Sequence, residues 1–250
     1  MTHTLKKLFS VIFISAIIPN ARAQFTDSTQ HYINFNTSGS INRTNDGNSY
    51  LLNNGLKYNI RKNLYSLDFN NAWVYGRQNT SLTNNDFTTM FDFDLYKTFP
   101  HFFYWGLVTY TTSYSLKINN QFQAGGGVAY SIIDDNGQKK NYLRLSDGVL
   151  YDQSDLVLSN SNRDVYHTYR NSVRLSYRFT YKDILVFGGT HYLQNSFDRG
   201  YDYIIRSTSD LTLKLNKWLG ITGALVYNKQ NRTQSENLLF TYGITLEKYY

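Results

Sequence analysis

Apolar and polar positions alternate along most of this chain. Tyr50, Leu52, Leu56, Tyr58 and Ile60 interleave with Asn53, Gly55, Lys57, Asn59 and Arg61. Tyr65, Leu67, Phe69, Trp73 and Tyr75 interleave with Ser66, Asp68 and Asn70, and Phe87, Phe91, Phe93 and Leu95 with Thr88, Asp92 and Asp94. Leu211, Leu213 and Leu215 alternate with Asp210, Thr212 and Lys214, and Leu238, Phe240, Tyr242, Ile244 and Leu246 with Thr241, Thr245 and Glu247. A period of two gives a β-strand one apolar face and one polar face. The segment YRNSVRLSYRFTYK, residues 169–182, tests this against a basic helix. Arg170, Arg174, Arg178 and Lys182 recur every fourth position, which is a helical spacing. Val173, Leu175, Tyr177, Phe179 and Tyr181 recur every second position and would scatter around a helix without forming an apolar face. The segment therefore reads as a strand with a greasy face and a cationic face.

The pattern predicts twelve strands, centred near residues 36, 55, 69, 91, 107, 126, 146, 173, 189, 209, 223 and 243. Those near 107 and 189 are apolar on both sides, so their facing stays open. Short connections at 61–63, 99–101, 134–137, 182–183 and 216–217 alternate with polar stretches at 42–48, 76–86, 113–120, 152–164, 195–202 and 228–237. Short turns on one side and long loops on the other are the build of an all-β, up-and-down outer-membrane barrel. An even strand count places both termini on the short-turn, periplasmic side. A soluble β-sandwich also alternates. Against it stand strands of roughly 10–18 residues, longer than the usual ~5–6, aromatic residues at strand ends, and only two prolines for so many turns.

The first 24 residues change the compartment. Lys6 and Lys7 precede a short apolar core, Leu8 to Ile18, and Ala21-Arg22-Ala23 precedes Gln24. That order is a secretory signal peptide cleaved between Ala23 and Gln24, leaving residues 24–250 as the barrel domain. Removing it takes away Lys6, Lys7 and Arg22 and no acid, so the net charge falls from +7 to +4. That is too mild to argue for a nucleic-acid partner. There is no cysteine, hence no lipoprotein anchor and no disulfide. The low mean hydropathy, −0.46, does not count against a membrane barrel, because alternating strands average out.

The cationic face has one place to go. An Arg or Lys facing lipid at mid-membrane costs about 2–4 kcal/mol. Arg170, Arg174, Arg178 and Lys182 are therefore expected to face the lumen, with Asp68, Asp92, Asp94 and Asp210 as counter-charges. Two readings follow. The ladder either plugs a narrow interior or lines a water path that favours anions. The terminal TYGITLEKYY resembles the strand signal that outer-membrane barrels present to their assembly machinery, through Tyr242, Gly243, Leu246 and the final Tyr250. Lys248 departs from that pattern. Expected partners are outer-membrane lipid, lipopolysaccharide and that machinery.

Several ordered segments carry a family resemblance: QFQAGGGVAYSIID (121–134), YLRLSDGVLYD (142–152), residues 169–203, and STSDLTLKLNKWLGITGALVYN (207–228). They resemble the salt-induced outer-membrane protein family, domain-of-unknown-function family 481. Tyr192, Gln194 and Asp202 match its aromatic-Gln-turn-Asp-Tyr segment, with Asn195 where a proline is common. The resemblance implies a bacterial outer-membrane barrel and no particular reaction.

Other chemistry is sparse. AGGG at 124–127 lacks the Lys-Ser/Thr and the following helix of a phosphate loop, so close strand packing in a curved sheet accounts for it. His31, His101, His167 and His191 show no metal spacing, and no cofactor is implied. The expectation is a non-enzymatic barrel. Two rivals stay open: an outer-membrane hydrolase using His167 with Asp164 or His191 with Asp198, and a soluble secreted β-protein that binds a ligand or partner.

Overall fold

The computed structural model describes residues 31–44, 47–62, 64–99, 101–134 and 141–249. They form twelve strands: β1 (His31–Arg43), β2 (Asn48–Arg61), β3 (Tyr65–Gln78), β4 (Ser81–Phe99), β5 (Phe102–Ser113) and β6 (Ile118–Asp134). The second half is β7 (Tyr142–Val157), β8 (Arg163–Tyr181), β9 (Leu185–Ser196), β10 (Tyr203–Lys214), β11 (Leu219–Gln230) and β12 (Ser235–Tyr249), with one 3-10 turn at Asn231–Thr233. Each strand pairs antiparallel with its sequence neighbours, and β1 closes on β12. Closure gives every strand two partners, so backbone donors and acceptors are met inside the sheet. The closing ladder runs only from Tyr32↔Tyr249 to Ser38↔Gly243. At Gly243 a side chain would meet the Thr37 carbonyl at 2.1 Å, which is why the seam needs glycine there.

Every expected strand centre falls inside a strand. The expected loop lengths do not hold. The polar stretches 76–86 and 152–164 are mostly strand, and β3 turns into β4 through residues 79–80 alone. At this end the connections span 44–47, 79–80, 114–117, 158–162, 197–202 and 231–234; at the other they span 62–64, 100–101, 135–141, 182–184 and 215–218. The polar stretches are continued ladder. Beyond an apolar band, pairing still satisfies the backbone, and only the side chains facing water change.

The outer face carries the apolar band: Phe35, Leu52, Phe91, Tyr104, Val128, Leu145, Leu175, Phe187, Leu213 and Ile244 are all exposed there. The two strands with open facing are now placed. On β5, Phe102, Tyr104 and Val108 face out, while Phe103, Trp105 and Leu107 are buried inside the barrel. On β9, Leu185, Phe187 and Leu193 face out, and Val186, Gly188 and Gln194 face in. The signal segment 1–23, the cleavage pair Ala23 and Gln24, and the terminal Tyr250 lie outside the described residues.

Candidate functional site: a lumen divided into two sectors

The interior is not uniform. Along β5–β8 the inward side chains form a buried wall. Phe103, Trp105, Leu107, Ala129 and Leu150 make an apolar cluster inside the barrel, with Met90 and Tyr96 packed against it. The indole of Trp105 lies across β6 and β7. Its Nε1 donates to the Val128 carbonyl at 3.2 Å, and a side chain at Gly148 would meet its ring at 2.5 Å. The glycines of the AGGG stretch are equally close-packed: a Cβ on Gly125 would meet the Val149 carbonyl at 2.0 Å. No phosphate cradle is present at this point; the space is taken by neighbouring strands and Leu150.

Polar braces close over this cluster. Arg174 on β8 reaches across the barrel to pair with Asp92 on β4, and its guanidinium lies 5.1 Å from the Trp105 ring centre and 5.8 Å from that of Tyr192. Tyr192 on β9 reaches the Met90 sulfur on β4. Arg144 on β7 lies 3.9 Å from Asp94 and stacks on Phe103 and Tyr142. Nearer the loop end, Arg206 on β10 donates to Gln121 Oε1 on β6 at 2.7 Å, and Gln123 donates to Gln194 on β9 at 2.9 Å. Together these braces form a chord from β4 to β8–β10 that seals off the sector behind it.

Arg170 is held most completely. It is fully buried, and so are both its carboxylate partners, Asp152 on β7 and Asp202 in the β9–β10 loop. Its Nη2 also donates to Tyr166 Oη at 2.8 Å. Charges this far from water are retained only when paired and hydrogen-bonded. Asp202 is shared with Arg232 of the 3-10 turn, whose guanidinium lies 3.7 Å from the Tyr166 ring centre and pairs with Asp164. Leu116, Ile118 and Leu156 form a second buried apolar cluster, with Tyr166 packed against it.

Each residue singled out from sequence can now be located. Arg170, Arg174 and Arg178 point inward from β8. Arg178 interacts electrostatically with Tyr249, Tyr32, Tyr142 and Glu247, across the barrel near the chain ends. Lys182 is not on the ladder. β8 ends at Tyr181, and Lys182 is an exposed turn residue with φ 50, its Nζ 5.2 Å from the Tyr181 ring centre. Asp92 meets Arg174. Asp94 accepts from Tyr96 Oη at 2.6 Å and from Ser66 at 3.4 Å, and lies near Arg144. Asp68 accepts from Asn59 of the adjacent strand, and Asp210 stands beside Gly188. On β12, Tyr242 and Leu246 face out and Gly243 faces in, while Lys248 is exposed on the outer face. Sequence reasoning missed Asp152, Asp202, Arg144, Arg206 and Trp105 as interior elements. A signal existed for one of them, Asp202. Tyr192, Gln194 and Asp202, the segment that carried the family resemblance, all contact the braces.

The opposite sector, β10 through β12 and β1 to β3, is lined mainly by small polar side chains, with Lys57, Asp68, Asp210, Lys214 and Glu247 among them. Thr212, Thr222 and Thr245 share a chain of hydroxyl contacts at 2.7 and 2.6 Å. Asn36, Ser38, Asn53, Gly55, Asn70 and Ala72 line β1–β3. Here some inward residues reach water: Lys57, Ala72 and Thr208 are exposed although they face the interior, while Asn34, Ile204, Gln230, Thr241 and Thr245 are buried.

The histidine–aspartate pairs considered for hydrolysis do not form. His167 lies with its ring 6.3 Å from that of Tyr151, tilted, at the outer face, while Asp164 is bound by Arg232. His191 also faces out, with Nδ1 2.6 Å from Ser207 Oγ and Nε2 3.4 Å from Tyr177 Oη, and Asp198 instead accepts from Thr168. The backbone around Ser207 is engaged in the β9–β10–β11 ladder, which offers no spare N–H pair for an oxyanion. Among the described residues no group of His, Cys, Asp and Glu is arranged to hold a metal.

Comparisons with known proteins agree with this architecture. A solved structure described as the NanC porin in a rhombohedral crystal form superposes with a TM-score of 0.51 at 11% identity, covering 85% of this chain and 98% of that one. The translocator domain of the autotransporter NalP from Neisseria meningitidis gives 0.50 at 9% identity, covering 88% and 89%. At these identities the similarity is one of fold: an outer-membrane-type β-barrel. No curated protein matches the chain. The family described as "Protein of unknown function, DUF481" matches residues 35–247, and the chain belongs to that family.

Proposed function

We propose that this protein is a non-enzymatic pore of the bacterial outer membrane whose water path runs off-centre, along β10–β12 and β1–β3. The observation that carries this reading is the contrast in water access. Inward residues of β5–β8 such as Leu107, Leu150, Ser172 and Arg170 are buried, while inward Lys57, Ala72 and Thr208 are exposed. The apolar band supports membrane placement, with the turn end and both chain termini toward the periplasm and the segment 1–23 directing export. Tyr242, Gly243, Leu246 and Tyr250 would serve assembly, and lipid and lipopolysaccharide would surround the band.

The paired ladder shapes selectivity. Arg170 and Arg174 are each matched by carboxylates, so the path gains little net positive charge from them. Its remaining lining is hydroxyl, amide and glycine with charges of both signs among them: Lys57, Asp68, Asp210 and the Lys214–Glu247 pair. Such a surface exchanges hydrogen bonds with small uncharged polar solutes and discriminates weakly by ion sign. Planar-bilayer conductance of the refolded protein tests this. A small steady conductance, reduced by Ala72→Trp and nearly unselective between chloride and potassium, supports the pore. A silent barrel would favour the plugged reading, in which the braces serve only the envelope.

A further inference from the structure

The outer face holds an anomaly that the pore does not use. On β1–β4 the apolar band is interrupted at mid-strand by Thr37, Asn54, Asn71 and Thr89. Along its own strand Asn54 sits between outward Leu52 and Leu56, Asn71 between Phe69 and Trp73, and Thr89 between Phe87 and Phe91. The surrounding Phe35, Leu52, Leu56, Trp73 and Phe91 are exposed. These strands are adjacent, so the amides and hydroxyls form a short polar stripe inside an aromatic and aliphatic field.

Hydrocarbon offers an amide nothing to bond, so each unmet donor or acceptor is costly there. Elsewhere the outer face resolves this internally. Asp147 accepts from Asn171 at 2.6 Å and from the Gly148 N–H at 2.9 Å; His191 contacts Ser207 and Tyr177, and Tyr177 contacts Ser209. The β1–β4 stripe does not. Thr37 donates to Asn54 Oδ1 at 2.9 Å, but among the described residues neither the Asn54 NH2 nor the Asn71 amide has a side-chain hydrogen bond.

We infer that a second copy of this chain docks on the outer face of β1–β4, pairing Asn54 and Asn71 across the interface. Two arguments select a second copy. A two-fold axis along the membrane normal leaves every residue at its own depth, so a mid-band amide necessarily meets the partner's amides at that same depth. A carboxamide also carries both donor and acceptor, and is therefore complementary to itself. The stripe is uncharged, so two copies approach without repulsion, and the flanking aromatic and aliphatic side chains provide apolar contact around the bonds.

The chain has no cysteine, so a single one can be read cleanly. Thr89→Cys, beside Asn71 on the neighbouring strand and outside the amide pair, is expected to yield a band at twice the chain mass when native membranes are treated with a short bis-maleimide. Val165→Cys, exposed on β8, is the control and is expected to stay monomeric. Replacing Asn54 and Asn71 together by Leu is expected to weaken dimerisation roughly 3- to 20-fold per lost bond. Heat-dependent gel mobility and membrane fractionation report separately whether each variant still folds and inserts. Absence of a self-cross-link from a folded, maleimide-reactive Thr89→Cys variant would overturn the inference. So would cross-linking only to a different protein, or a Leu variant that dimerises as tightly as the parent.

Discussion

The wall of β5–β8 and the wall of β10–β3 present similar faces to the outside and opposite faces to the inside. Both carry an outward apolar band. Inward, the first offers Phe103, Trp105, Leu107, Leu150 and paired arginines; the second offers mainly Thr, Ser, Asn, Gly and Ala, with Lys57, Asp68, Asp210 and the Lys214–Glu247 pair among them. Alternation alone therefore specifies a barrel but not its lumen. The lumen is decided by the volume and pairing of every second residue. Large inward side chains on neighbouring strands must pack on one another, and buried charges must find partners. Where inward side chains are small, the strands cannot meet across the barrel and water remains.

The contrast can be broken on its packed side first. Asp202→Ala takes one carboxylate from two guanidiniums at once, Arg170 and Arg232, and leaves buried N–H donors without an acceptor, so a loss of about 3–5 kcal/mol is expected. It would be seen as a lower temperature for the heat-dependent gel shift. Lys57→Ala, on the water-reached wall, is expected to leave that temperature unchanged. Leu150→Ala opens a cavity in the apolar cluster and is expected to cost about 2–5 kcal/mol in urea unfolding from lipid. If it costs no more than Ala72→Ser on the opposite wall, the sector behind the chord is not close-packed.

Much of this fold was legible in the sequence, because a period of two survives whatever the interior does. Strand centres followed from it directly. Facing was hidden for β5 and β9, since an apolar inner cluster makes both sides of β5 greasy. Strand ends were misread because polar residues were equated with loops. Asp152 and Ser154, in the polar stretch 152–164, are inward residues of a continuing strand, so Arg170's partner on β7 went unseen. Asp202 was visible only as part of a family segment, because no local pattern ties a loop carboxylate to an arginine 32 residues earlier. Lys182 carried the fourfold spacing past the point where the backbone turns.

A smaller effect sharpens the rim. Arg163, in the polar extension beyond the band, donates to both carboxylate oxygens of Asp155, and these hydrogen bonds hold the Asp155 carboxyl below its ordinary range. A carboxyl lowered on folding adds stability above its unfolded pKa and loses it as pH falls through the folded one. Arg163→Gln is therefore expected to reduce stability slightly at neutral pH. That difference should vanish in acid below the ordinary carboxylate range, as followed by thermal scans across pH. A difference that grows in acid would place the carboxyl elsewhere.

The divided lumen itself is tested most directly by paired single-cysteine accessibility. Thr208→Cys and Thr109→Cys both face inward, one on each wall, the first exposed and the second buried. With a small charged methanethiosulfonate reagent applied to the folded protein in a planar bilayer, Thr208→Cys is expected to react and lower the conductance. Thr109→Cys is expected to stay unreactive until the barrel is unfolded. Equal reaction at both positions, or reaction at Thr109→Cys alone, would contradict a water path confined to β10–β3.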